Sequence, residues 1–123
     1  MGQLETQQRP LIMRIDYTSK DIGGEVVKDN ETYLLKDNKT LNNLVLSQTI
    51  LHGAQSTRGH SHAGQEEVYF FVSGHGEMEV GDESFWVRPG DIILIPDGAF
   101  HRVHNPTDRD LIFNCVFDGK RNH

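Results

Sequence analysis

The stretch HSHAGQEEVYFFVSG, residues 60–74, decides how the chain is read. It opens with two imidazoles, His60 and His62, at i and i+2. On an extended strand such a pair points to one side and can share an ion. A short loop, Ala63-Gly64-Gln65-Glu66, then leads into VYFFV, an apolar run of strand length closed by Ser73-Gly74. Glu67 heads that run, from where its carboxylate can turn back toward the two histidines. Glu66 is its rival. With Glu67 inward, alternation also turns Tyr69 and Phe71 inward, whereas an inward Glu66 would place Val68 and Phe70 there. The first arrangement makes the consistent interior face, so Glu67 is the preferred ligand.

Farther along, Pro96-Asp97-Gly98 forms a turn that starts a fresh strand carrying His101, a third imidazole. Three neutral imidazoles and a carboxylate suit manganese, iron, cobalt, nickel or zinc (Mn, Fe, Co, Ni or Zn), and an octahedral set leaves two positions for water or substrate. The absence of thiolates argues against a closed structural zinc site. The expectation is one divalent metal ion held by His60, His62, Glu67 and His101. His104, three residues after His101, faces the opposite side of the same strand and stays outside the set. His75 and His123 read as exposed. His52 reads as loop surface, with the pocket mouth as the alternative.

Around this segment the chain alternates apolar strands with turns, and no repeat or low-complexity tract interrupts it. Strands are expected at Thr32–Lys36, Leu44–Leu51, Val68–Val72, Gly76–Val80, Ser84–Val87, Ile92–Ile95, Ala99–His104 and Leu111–Phe117. Turn residues separate them at Asp37-Asn38, Ser73-Gly74, Gly81-Asp82, Pro89-Gly90, Asp97-Gly98 and Asn105-Pro106. No sustained helical period appears, apart from a weak one in the first 25 residues. The fold class is therefore all-β. VYFFV, IILI and LIFNCVF are apolar on both faces and need cover on both, which a small barrel supplies from its interior and from another sheet or subunit. A homodimer is expected.

Composition bounds the function. A chain of 123 residues, 36% apolar and 24% charged, makes one water-soluble domain. No apolar run approaches the roughly 20 residues of a membrane span, so no membrane partner is expected. Net charge is −6 and the lysines lie apart, leaving no basic stripe for nucleic acid. Cys115, the only cysteine, excludes an intrachain disulfide and reads as a buried strand residue in a reducing compartment. The N-terminus lacks a basic segment followed by an apolar run, so a cytoplasmic location is expected. Met1-Gly2 with Thr6 fits only the short, common myristoylation pattern. Met13 opens a second start. Residues 1–25 are accordingly read as a partly disordered extension, and residues 26–123 as a single domain.

With these residues in view, the chain resembles the cupin superfamily in its short, single-domain microbial form. The first motif of that family pairs HxH with a glutamate and a later glycine, matched by His60, His62, Glu67 and Gly74. The second, G(x)5PxG(x)2H(x)3N, is matched by Gly90, Pro96, Gly98, His101 and Asn105. Gly53 departs from the pattern, lying one residue farther from His60 than the family's leading glycine. The resemblance implies a small β-barrel of jelly-roll type, the double-stranded β-helix, with the metal near its mouth. Asn105 reads as a scaffold residue closing the turn into Pro106.

The resemblance leaves the chemistry open, because the family spans dioxygenases, decarboxylases, isomerases, lyases and non-enzymatic binders. The inward set Tyr69, Phe71, Ala99 and Val103 describes a partly aromatic, mostly uncharged chamber. The leading expectation is an enzyme acting on a small carbonyl, enol or hydroxy compound chelated to the metal, with Tyr69 as catalytic acid or base. A non-catalytic small-molecule binding or sensing protein is the alternative, and a sugar-phosphate isomerase-like protein the second. Arg58 and Arg88 are candidate anion clamps whose ordinary fate is surface exposure, and Arg102 alternates outward from His101.

Overall fold

A computed structural model describes residues 15–119. Among these residues nine strands follow one another: β1 (Glu25–Asp29), β2 (Tyr33–Asn38), β3 (Leu44–Leu51), β4 (Glu67–Ser73), β5 (Gly76–Val80), β6 (Glu83–Val87), β7 (Ile92–Ile95), β8 (His101–His104) and β9 (Leu111–Asp118). They form a six-stranded sheet in the order β1-β2-β3-β9-β4-β7 and a three-stranded sheet in the order β6-β5-β8. All pairings are antiparallel. The all-β barrel expected from the sequence is what the chain forms. Among the described residues no helix is long and apolar enough to cross a membrane.

Both sheets contribute to one core. Leu51, Phe71, Ile95, Leu111, Phe113 and Phe117 from the large sheet meet Met78, Val87 and Val103 from the small one. Alternation supplies this arrangement, since Glu67, Tyr69 and Phe71 are buried while Val68 and Phe70 are only half-buried. Glu67 is buried on the inner face and Glu66 is exposed.

Several boundaries differ from expectation. Asp37 and Asn38 lie inside β2 rather than in a turn, and the chain bends just after, where Thr40 N–H donates to Asn38 Oδ1 at 3.0 Å. Strand β8 begins at His101 instead of Ala99. Strand β1 has no counterpart among the expected strands. It is a five-residue edge strand, exposed throughout, and a bulge near Val27 breaks the alternation that would have betrayed it.

The outer face of the large sheet is covered in part by the chain's own N-terminal segment. Gln48 Nε2 donates to the carbonyls of Ser19 (3.1 Å) and Lys20 (3.2 Å), and Asn114 Nδ2 donates to Ser19 O (2.8 Å). Ile22 is buried at 1% exposure, and Asn38 Nδ2 donates to its carbonyl. The polar Asn114 within the apolar strand LIFNCVF is thereby explained, since it anchors this strap. No helix forms in residues 15–24; residues 1–14 of the expected extension, and His123, lie outside the described residues. Strand β7 keeps an open flank, with Ile92 and Leu94 at 65% and 69% exposure.

Candidate functional site

His60 and His62 lie between β3 and β4 in an irregular segment rather than on a regular strand. Paired hydrogen bonds with β8 take the strand's place. His60 N–H donates to His101 O at 3.2 Å, and His101 N–H donates to His60 O at 3.0 Å. This single antiparallel bridge sets two imidazoles side by side. His62 is fixed from the other flank, where Gly98 N–H donates to its carbonyl at 3.0 Å. Asp97 Oδ1 accepts from Gly64 N–H, which clamps the Ala63–Glu66 loop to the turn before β8.

The three rings converge. Their centroids stand 4.6 Å (His60–His62), 5.1 Å (His60–His101) and 5.8 Å (His62–His101) apart. One nitrogen of each lies within 4.8 Å of the others. His62 and His101 are buried, and His60 is half-buried. Three imidazoles gathered this closely could coordinate one metal ion.

Glu67 joins the group through His101, its Oε2 lying 3.1 Å from Nε2. Both side chains are 2% exposed. The other carboxylate oxygen, Oε1, accepts from Cys115 Sγ–H at 3.0 Å. His101 Nδ1 contacts Ala99 O at 3.0 Å, so the Nδ1–H tautomer donates there and Nε2 is directed inward. Burial pulls the His101 pKa down; the hydrogen bonds to Glu67 and Ala99 and the Glu67 charge outweigh it and leave the pKa above 6.5.

A cavity of about 340 Å³ opens onto His60, Glu67 and His101. Tyr69 is 8% exposed and lines it, its ring stacked on Phe113 (centroids 5.4 Å, 19°) and edge-on to His101 (5.6 Å). Ser47, Thr49 and Thr57 add hydroxyls. The chamber is less neutral than the sequence suggests, because Lys28 and Arg58 also line it. Arg88 does not, and is exposed. Arg102 is half-buried and donates through Nε to Thr57 O at 2.8 Å.

The remaining histidines stand apart. His104 faces away from the triad, its Nδ1 2.7 Å from Ser56 Oγ and its Nε2 paired with Glu79. His52 is outside the cavity lining and pairs with Asp110 at 3.2 Å. His75 is exposed. Asn105 is a scaffold residue with a wider reach than one turn: Nδ2 donates to the carbonyls of Leu51, His52 and Arg109, and Oδ1 accepts from Thr107. Gly74 and Gly98 have φ of 86° and 79°, the left-handed backbone their turns require.

The cupin-domain family model (Cupin_2) matches residues 46–117, a span that contains all four site residues and, in whole or part, every described strand after the first two. The chain belongs to the cupin family. This cupin is 33% identical over 70 residues to an uncharacterized protein of Methanocaldococcus jannaschii, covering 57% of this chain and 56% of that one. It is 31% identical over 109 residues to an uncharacterized protein of Aquifex aeolicus, covering 82% and 87%. Among solved structures, one titled as a predicted oxalate decarboxylase from Thermotoga maritima superposes with a TM-score of 0.69 at 19% identity, covering 85% of this cupin and 98% of that chain. That likeness is one of fold. The cupin spans about half the length of the M. jannaschii relative, and 50% and 33% of two others.

Proposed function

We propose that this cupin is a metal-dependent enzyme in which His60, His62, Glu67 and His101 hold one divalent ion and a small carbonyl, enol or hydroxy compound meets it in the cavity. The observation that carries the reading is the convergence of three imidazole nitrogens within 4.8 Å, beside a buried carboxylate 3.1 Å from one of them. Ligands about 2.1 Å from an ion at right angles to one another stand about 3 Å apart, the separation of Glu67 Oε2 and His101 Nε2. Relatives named as a dioxygenase, an isomerase and an ectoine synthase support the enzyme reading, and one named as an oxalate-binding protein supports the non-catalytic alternative.

When bound, the ion would polarise a substrate oxygen. The chain's own residues do the rest. The Ala99 carbonyl holds the His101 proton on Nδ1 and keeps Nε2 for the ion. Cys115 turns the Glu67 carboxylate toward the histidines. The Tyr69 ring, held against Phe113, sets its hydroxyl to hold or give a proton beside the substrate. The apolar walls at Leu35 and Phe113 limit water.

The open apolar flank at Ile92 and Leu94 supports a homodimer, in which a second copy covers what the chain leaves bare.

The test is metal content. Untagged protein purified without chelator is expected to carry one ion per chain, and the His62→Ala/Glu67→Ala double variant none. Retained stoichiometric metal in the variant refutes the site. Metal with ligand binding but no turnover across oxygenase, decarboxylase, lyase and isomerase assays favours the non-catalytic reading.

A further inference from the structure

Lys28 and Arg58 come from separate elements to the mouth of the same cavity. Lys28 arrives through an irregularity. Strand β1 pairs with β2 as Val26↔Lys36 and then Lys28↔Leu35, leaving Val27 as an extra residue. Leu35 is buried and lines the cavity. In an unbroken ladder Val27 would oppose Leu35, and Lys28 would point to the outer face. The bulge reverses that and puts Lys28 on the same face as Leu35, where it lines the cavity while remaining exposed.

Arg58 is aimed by its neighbours. Thr57 N–H donates to Val103 O at 2.8 Å, Thr57 O accepts from Arg102 Nε at 2.8 Å, and Thr57 Oγ1 accepts from Val103 N–H at 3.0 Å. Immediately after, Gly59 has φ of 86°, and a Cβ there would stand 2.6 Å from Phe100. The backbone on both sides of Arg58 is therefore fixed, and the residue lines the cavity while remaining exposed.

The charge arithmetic is local and runs against the molecule's. The chain carries −6 overall, which repels anions at long range. Among the residues lining the cavity Glu67 is the single carboxylate, and it is committed to His101 and Cys115. Among the described residues no ion pair engages Lys28 or Arg58. Their charges face the cavity mouth and water.

We infer that Lys28 and Arg58 form an anion clamp, and that the substrate is a compact organic anion whose carboxylate or phosphate they hold while an oxygen at its other end meets the ion. This rests on the metal reading above. Arg58 supplies a planar fork suited to two anion oxygens and Lys28 a point charge.

The experiment compares matched charged and neutral probes by calorimetry on metal-loaded protein: pyruvate against pyruvamide, and glycerol phosphate against glycerol. Metal content is measured first, on wild type and on the Lys28→Met/Arg58→Met variant. Both are expected to hold one ion per chain, since neither cation touches the ligands. In wild type at least one anion is expected to bind about tenfold tighter than its neutral partner, a preference that added salt weakens. The variant is expected to lose it. The arm that shows the preference identifies the anionic group. Equal binding of charged and neutral probes, no binding of any of the four, or a preference that survives in the variant overturns the clamp. A wild type without metal fails the metal reading instead, and the clamp is then judged by the same comparison on the metal-free chain.

Discussion

Glu67 on β4 and His101 on β8 belong to different sheets, yet Oε2 of one lies 3.1 Å from Nε2 of the other in the barrel interior. Cys115 on β9 holds the far oxygen of the same carboxylate. The fold thus brings three strands to a single carboxylate. Removing the thiol should disturb metal binding although Cys115 is no ligand. Cys115→Ala is expected to weaken metal affinity about tenfold, and Cys115→Ser, which keeps a donor, to restore most of it. Competition with a chromophoric chelator measures both.

The His101 environment sets a pH dependence. Its pKa in the folded, metal-free chain lies above the 6.5 of the unfolded state. A raised folded pKa gives stability that is complete below the unfolded value and is lost as pH rises through the folded one. Metal-free protein should therefore lose stability as pH climbs past the raised pKa, and His101→Gln should flatten that slope. Metal needs the neutral ring, so the stabilisation conferred by metal should shrink in the opposite direction, as pH falls. Urea midpoints across pH, with and without metal, read both trends.

Asn105 is 1% exposed and ties three carbonyls and Thr107 together. Asn105→Ala leaves those buried groups without partners and should cost about 2–4 kcal/mol, with folded metal affinity nearly unchanged. Denaturant unfolding separates this from a ligand's effect.

Ala54 adopts φ of 61°, a left-handed backbone that glycine holds at less cost. It occupies the position where the family's leading glycine would stand, while Gly53 next to it lets the chain approach Asp108, where a Cβ would come within 2.8 Å. Ala54→Gly should stabilise by about 0.5 kcal/mol, the relief of strain less the added freedom of the unfolded chain. Gly53→Ala should destabilise. Thermal melts of the two variants test the pair.

Leu94 and Ile92 protrude from the flank of β7. Light scattering should give twice the 14.0 kDa chain mass, and Leu94→Glu should give the single mass. A wild-type chain of 14.0 kDa at micromolar concentration would count against the dimer.

Leu44–Leu51, Gly76–Val80 and Ile92–Ile95 have the same limits in sequence and structure, because turn residues bracket each run and the strand period is unbroken inside it. That Glu67, Tyr69 and Phe71 face inward while Glu66 faces out is legible for the same reason. What escapes the sequence depends on backbone irregularity or long-range pairing. Lys28 enters the cavity only through the bulge beside Val27. Cys115 meets Glu67 because of the β9–β4 register, which pairs Cys115 with Tyr69 and Phe117 with Glu67. A strand apolar on both faces does not reveal that parity. The pairing of His60 with His101 through a single isolated bridge is a long-range contact that the i, i+2 spacing of His60 and His62 does not reveal.

X-ray absorption on metal-loaded protein reads the ligand set itself. Three imidazoles and carboxylate oxygen are expected about 2.1 Å from the ion, with no sulfur. Fewer than three imidazoles, or a sulfur neighbour from Cys115, would contradict that set.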